Sequence, residues 1–94
     1  MNPLTEQEIT QKMTDFPHWQ YSDDALHTSL EFEDFKDAFA MMTRIAFEAE
    51  TLQHHPDWHN VYNTVNITLS THDAGGVTDK DFALASKIDA MIGA

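Results

Sequence analysis

Apolar residues recur along this chain at two periods, and each change of period marks an element. Near the start the spacing is helical, with Ile9 and Met13 four apart on one face. Ahead of them Thr5-Glu-Gln-Glu8 reads as a capping box, in which the Thr5 hydroxyl accepts from the amide near Glu8 and the Glu8 carboxylate reaches back to the Thr5 amide. Leu4 and Ile9 stand at the two staple positions around it. The pattern predicts a short helix over about Glu6 to Met13, leaving at Phe16-Pro17, because proline disfavours helix at the residue before it. From Trp19 the period falls to two. Trp19 and Tyr21, then Leu26, Thr28, Leu30 and Phe32, alternate with polar residues around the turn chemistry of Ser22-Asp-Asp24, which predicts a hairpin with one buried face.

The helical period returns at Asp34, a good N-cap. Phe35, Ala38, Phe39, Met42, Ile45, Ala46, Ala49 and Leu52 form one apolar stripe, uninterrupted by Gly or Pro until Pro56, and predict a core-facing helix over about Phe35 to Gln53. Val61 and Tyr62, followed by Val65, Ile67 and Leu69 between polar residues, predict a second hairpin turning near Asn63. Ser70 and His72 then have the opposite parity to the inward residues. Asp73-Ala-Gly-Gly76 is a loop with two positions free to take positive φ. Thr78-Asp-Lys-Asp81 repeats the capping-box pattern, with Val77 and Phe82 as its staple, before a last helix whose inward stripe is Phe82, Ala85, Ile88 and Ile92. The order α-β-β-α-β-β-α, with three helices on one side of an antiparallel sheet, is an α+β two-layer domain.

Composition narrows the classes of function. At 94 residues the chain is expected to be one domain over 1–94. A domain of that size buries roughly two-thirds of its unfolded surface, which makes added stability from oligomerisation unsurprising. It has no cysteine, which excludes disulfides and thiolate chemistry and fits a reducing compartment. No apolar run approaches the ~20 residues of a membrane span. Met1-Asn-Pro-Leu-Thr-Glu lacks the basic and apolar regions of a secretory signal, so a soluble cytoplasmic protein is expected. Five basic against sixteen acidic residues give a formal net charge of −11, which disfavours direct binding to nucleic acid or to an anionic membrane. The acidic residues are spread along the chain, as suits solubility.

The chemistry concentrates between Glu50 and Asp81, where four of the six histidines fall, at 54, 55, 59 and 72. Glu50 and His54 are four apart near a helix end, so the carboxylate is expected to orient the imidazole and favour its charged form. The helix C-terminus favours a cation by ~0.3–1 kcal/mol, while burial acts the other way. That combination suits a general acid or base, and equally describes a surface pair at a helix end. His55 stands where Pro56 must stop the helix, and His72 follows a strand and precedes the Gly-Gly loop, a place where sites tend to be built. His59 reads as a strand residue, and His18 and His27 have no constellation around them. Asp81 is a cap whatever else it does. Zinc is disfavoured, because the adjacent His54 and His55 point apart and no His-x-x-x-His face or cysteine pair exists. A nucleophile elbow and a Gly-rich phosphate loop are absent. Acid–base chemistry by imidazoles and carboxylates on a small neutral or weakly charged substrate remains.

The spacing Glu50, His54-His55-Pro56, Tyr62, His72, Asp81 resembles the signature of the pterin-4a-carbinolamine dehydratases. Asp34-Phe35, Met42-Thr-Arg-Ile-Ala46, Trp58, Asn60-Val-Tyr-Asn63, Ile67-Thr-Leu-Ser-Thr-His72 and Leu84-Ala85 agree with it, so the resemblance covers about Phe32 to Ile88. It implies a four-stranded antiparallel sheet with three helices on one face, in homodimers or homotetramers. It implies dehydration of 4a-hydroxytetrahydropterin to quinonoid dihydropterin and water, in support of tetrahydrobiopterin recycling for aromatic amino acid hydroxylases. No metal or cofactor is implied, since the pterin is the substrate. By the same resemblance His54, His55 and His72 catalyse, Glu50 and Asp81 support them, and the pterin lies between Gln53-His54-His55 and Ser70-Thr71-His72-Asp73. The expected acid–base pair is His54, oriented by Glu50, and His55, with His72 at the departing hydroxyl. Two non-enzymatic alternatives belong to the same fold: a dimerisation cofactor of a transcription factor, and an assembly factor lacking the catalytic histidines. A histidine-cluster metal-binding protein is a third.

Overall fold

Alternating apolar residues in four short segments build an antiparallel sheet with one dry face. The computed structural model describes residues 1–93, whose elements follow the expected order α-β-β-α-β-β-α. Helix α1 covers Glu6–Met13, strands β1 and β2 cover Gln20–Ser22 and Ala25–Glu31, and helix α2 covers Phe35–Leu52. Strands β3 and β4 cover Asp57–Val61 and Thr64–Leu69, a 3-10 turn covers His72–Ala74, and helix α3 covers Asp79–Ile92. The sheet order is β1-β2-β4-β3, which puts β2 and β4 at its centre. Their register sets Leu26 opposite Leu69, Thr28 opposite Ile67 and Leu30 opposite Val65, and Trp58 of β3 faces Ile67. Side chains of like parity share a face. These residues therefore form the floor on which Ile9 of α1, Ala38, Ile45 and Ala49 of α2, and Phe82, Leu84, Ala85 and Ile88 of α3 pack.

Local chemistry closes the elements where the sequence suggests. Both predicted capping boxes form, Thr5 with Glu8 and Thr78 with Asp81. The Asp34 side chain caps α2 by accepting from the Asp37 amide. Asp23 and Asp24 both take positive φ, 51° and 60°, the backbone of a two-residue hairpin turn that matches strand twist and that Asp tolerates.

Two expectations of burial fail. Phe35 and Phe39 are about half exposed and Ala46 is exposed, although all three belong to the predicted stripe. The buried line of α2 is Ala38–Ile45–Ala49, with Met41, Met42 and Leu52 beside it. At about 100° per residue the phenylalanines sit on the shoulder of that line. Off that line the two rings pack against each other instead, tilted by 44° with 5.8 Å between centroids. Val61 and Tyr62 are likewise exposed, because β3 begins earlier, at Asp57, and turns Trp58 and Asn60 inward. Tyr62 is a turn residue with φ 52°, and the Asn60 side-chain amide satisfies the turn by donating to the carbonyls of Tyr62 and Thr64.

Leu69 is fully buried at the end of β4 that leads into the loop before α3. Leu69→Ala is expected to lower unfolding free energy by about 2–5 kcal/mol, measured by urea denaturation.

Candidate active site

Helix α2 ends by a change of hand. Gln53 takes φ 51°, its amide bonds the Glu50 carbonyl at 3.1 Å, and the His54 amide bonds the Ala49 carbonyl at 3.0 Å. This pair of bonds is the Schellman closure, usually built on glycine and here carried by glutamine. It corrects the expectation that Glu50 orients His54. The four-residue relation holds only along a continuing helix, and the left-handed residue rotates His54 off the Glu50 face. His54 turns inward, its side chain 10% exposed, and its Nε2 lies 2.5 Å from Asp81 Oδ1. His55 turns back over the outside of the helix, where its Nε2 meets Glu50 Oε2 at 2.5 Å. Both expected carboxylates therefore hold histidines, Asp81 holding His54 and Glu50 holding His55.

The second wall comes from the end of β4. Ser70 donates to the Asp24 carbonyl, tying that strand end to the first hairpin turn. Thr71 then forms an isolated bridge with Gly76, and the Thr71 carbonyl accepts from the amides of Ala74 and Gly75, so the intervening residues close into a tight loop with His72 as the first residue of its 3-10 turn. Of the two glycines free to take positive φ, only Gly75 does so, at 73°. Gly76 meets a different constraint: a Cβ there would stand 3.1 Å from Cβ of Pro3, tighter than ordinary contact, and the neighbouring Leu4 bonds the Val77 carbonyl.

Asp81 joins the two walls. It is the third residue of α3 and fully buried. Its Oδ2 accepts from the Thr71 hydroxyl at 2.8 Å and from the Thr78 amide at 2.9 Å, while Oδ1 faces His54. A buried carboxylate is tolerated only with such partners, and the positive end of the helix favours it further. The capping role and the site role of Asp81 coexist in one side chain.

These segments enclose an open groove of about 270 Å³ lined by Gln53, His54, His55, Ser70, Thr71, His72, Asp73 and Lys80. All seven residues expected on sequence to flank a substrate lie on it. Within that set Thr71 differs from expectation: its hydroxyl is spent on Asp81, so it supports the groove rather than reaching into it. His72 is exposed at the rim, and His55, Ser70 and His72 also border a smaller recess of about 50 Å³ against Asp57 and Thr68. His59 sits apart, exposed on β3, and His27 is held on the polar sheet face by Thr68 Oγ1 and the Ser22 carbonyl. Lys80 and Thr78 are not among the site residues the sequence suggests. The capping box would have pointed to both, since any geometry that brings Asp81 to the site brings its neighbours. Among the described residues no three His, Asp or Glu side chains converge as a metal cage. The imidazoles are instead divided between two carboxylates. Nor is any helix among these residues long and apolar enough to cross a membrane. Two carboxylate-supported imidazoles and a third at the rim can deliver and remove protons on a small molecule lying between the walls.

Residues 2–91 match the family model described as pterin 4 alpha carbinolamine dehydratase. A Christiangramia forsetii protein provisionally named pterin-4-alpha-carbinolamine dehydratase is 56% identical over 92 residues, covering 98% of this chain and 95% of the relative. A Burkholderia ambifaria protein with the same provisional name is 50% identical over 91 residues, covering 95% and 89%. The crystal structure of a transcriptional coactivator/pterin dehydratase from Brucella melitensis superposes with a TM-score of 0.91 at 43% identity, covering 95% of this chain and 97% of that one. A pterin dehydratase-like protein identified as a RuBisCO assembly factor in the alpha-carboxysome shares the fold, with a TM-score of 0.67 at 23% identity over 81% of this chain and 88% of that one.

The two carboxylates are expected to differ sharply in thermal or urea denaturation. Asp81→Ala strands a buried hydroxyl, an amide and an imidazole, and should cost about 3–5 kcal/mol. Glu50→Ala removes a solvent-exposed pair and should cost no more than about 1 kcal/mol.

Proposed function

The chain belongs to the pterin 4 alpha carbinolamine dehydratase family, and on that premise we propose that it dehydrates 4a-hydroxytetrahydropterin to quinonoid dihydropterin and water. The observation that carries the reading is the groove itself, where His54, His55 and His72 stand together with Asp81 behind one histidine and Glu50 behind another. In the reaction a proton reaches the 4a hydroxyl oxygen, the C4a–O bond breaks and water leaves. N5 gives up its proton, and the electron pair of that N–H bond forms the C4a–N5 double bond. Both transfers are of the kind that a positioned imidazole performs. His54, anchored through Nε2 by Asp81, is the residue proposed to take the N5 proton. His72 and His55, at the more exposed part of the groove, deliver the proton to the departing hydroxyl. No step calls on a metal or cofactor. The carbinolamine is the product left by aromatic amino acid hydroxylases, so the activity supports tetrahydrobiopterin recycling.

Self-association fits the exposed outer side of α2, where Phe35, Phe39 and Phe47 are 50, 54 and 70% exposed. Large apolar side chains grouped on a surface mark interaction sites, and a second copy of this chain is the partner proposed for them. The name of the Brucella melitensis relative joins coactivator to dehydratase, and the same surface would serve a non-catalytic binding role.

Added to a phenylalanine hydroxylase reaction, the protein is expected to speed the decay of the carbinolamine absorbance, and no acceleration over the spontaneous rate would refute the assignment. His54→Ala should lower the dehydration rate by about 10²–10⁴-fold. A Phe39→Glu, Phe47→Glu double variant should sediment as a smaller species than the wild type; an unchanged sedimentation coefficient removes α2 as the self-association face.

A further inference from the structure

Behind His54 each hydrogen of the buried network has one place to go. Ionised Asp81 only accepts. Thr71 has a single hydroxyl hydrogen, and it points to Asp81 Oδ2 at 2.8 Å. The 2.8 Å contact between the Thr71 and Thr78 hydroxyls is therefore made with the hydrogen of Thr78. Thr78 Oγ1 in turn accepts from the Lys80 amide at 3.2 Å. The donors run one way, from the first turn of α3 through two hydroxyls to the carboxylate. His54 Nε2 then donates to Asp81 Oδ1 from the other side. A neutral His54 so placed carries its hydrogen on Nε2 and keeps Nδ1 as an acceptor. Nδ1 is bonded to no protein group, and among the described residues no buried side-chain nitrogen or oxygen lacks a partner, so Nδ1 is open to the groove that His54 lines.

We propose that Thr71 is a positioning residue: its hydroxyl holds the Asp81 carboxylate and thereby keeps His54 in the Nε2–H tautomer, with Nδ1 presented to the substrate. Thr71 is 5% exposed and acts entirely through Asp81. Thr78 aligns the Thr71 hydroxyl by donating to its oxygen, which leaves the Thr71 hydrogen free for the carboxylate. The kinetic consequence rests on the dehydratase reading, whereas the tautomer is a property of the free protein.

The test pairs ¹⁵N imidazole spectra of the free protein with steady-state dehydration kinetics in Thr71→Val and Thr71→Ser. Valine keeps the shape and removes the donor; serine keeps the donor. Wild type and Thr71→Ser are expected to show His54 protonated at Nε2. Thr71→Val should show a mixture of tautomers and a kcat lower by about 10–100-fold, the scale known for partners behind metal-bound histidines, with KM little changed. A wild-type His54 protonated at Nδ1 overturns the proposal. So does a folded hydroxyl-free variant that keeps either the wild-type tautomer or the wild-type kcat, and so does a folded Thr71→Ser that loses the Nε2–H form. Thr71→Ala is the second hydroxyl-free variant, read by the same measurements if valine prevents folding. A wild-type protein that does not dehydrate the carbinolamine refutes the functional reading, and the spectra still decide the tautomer.

Discussion

The site depends on one buried negative charge. Asp81 is fully enclosed, and its two oxygens take hydrogen bonds from three places in the chain: His54 after α2, Thr71 after β4, and Thr78 at the start of α3. Taking a carboxylate out of water costs several kcal/mol, and the cost is offset only when its lone pairs are satisfied. Assembly of the groove and satisfaction of Asp81 are therefore the same event. A fold that misplaces any of the three segments leaves a charge unpaired in the interior, which discriminates strongly against near-native alternatives.

Each wall of the groove is also the end of a regular element, terminated by its own chemistry. The left-handed Gln53 stops α2 and sends two adjacent histidines in opposite directions, one to the interior and one back to Glu50. The Thr71–Gly76 bridge closes the loop that carries His72. The Thr78 capping box starts α3 and supplies Asp81. Element ends are where backbone donors and acceptors lack internal partners, so they can be recruited to hold side chains. The sheet and the helix stripes bring these ends to one edge without taking part in the chemistry. This division explains how a two-layer fold of this size keeps an apolar core and a polar groove without conflict: the core lies between the layers, the groove at their rim.

The remaining surface has two characters. The sheet face away from the helices is polar, carrying Gln20, His27, Ser29, Asn66 and Thr68. The outer side of α2 carries phenylalanines that the layer packing does not use. Their exposure follows from their place around the helix, off the line of Ala38, Ile45 and Ala49 that faces the core. The formal charge of −11 adds long-range repulsion between copies.

Much of this was legible in one dimension. The element order, both hairpins, the three helices and two capping boxes followed from periodicity and turn chemistry, because these are rules of local spacing. So did the placing of His54, His55, His72, Glu50 and Asp81 at element ends, and their resemblance to a pterin dehydratase signature. Pairing was not legible. Glu50 was assigned to His54 by helical spacing, but a single left-handed residue gave it to His55, and no glycine marked the change of hand. Phe35 and Phe39 belonged to an apolar stripe, yet the depth to which a helix sinks is set by what lies opposite. The sequence by itself determined the elements, their ends and the kinds of chemistry gathered there. Only the tertiary structure decided which carboxylate meets which histidine and that the Thr71 hydroxyl is turned to Asp81 rather than into the groove. Local spacing governs neighbours within a few residues, whereas hydrogen-bond partners 10 and 27 residues apart meet only when the layers close.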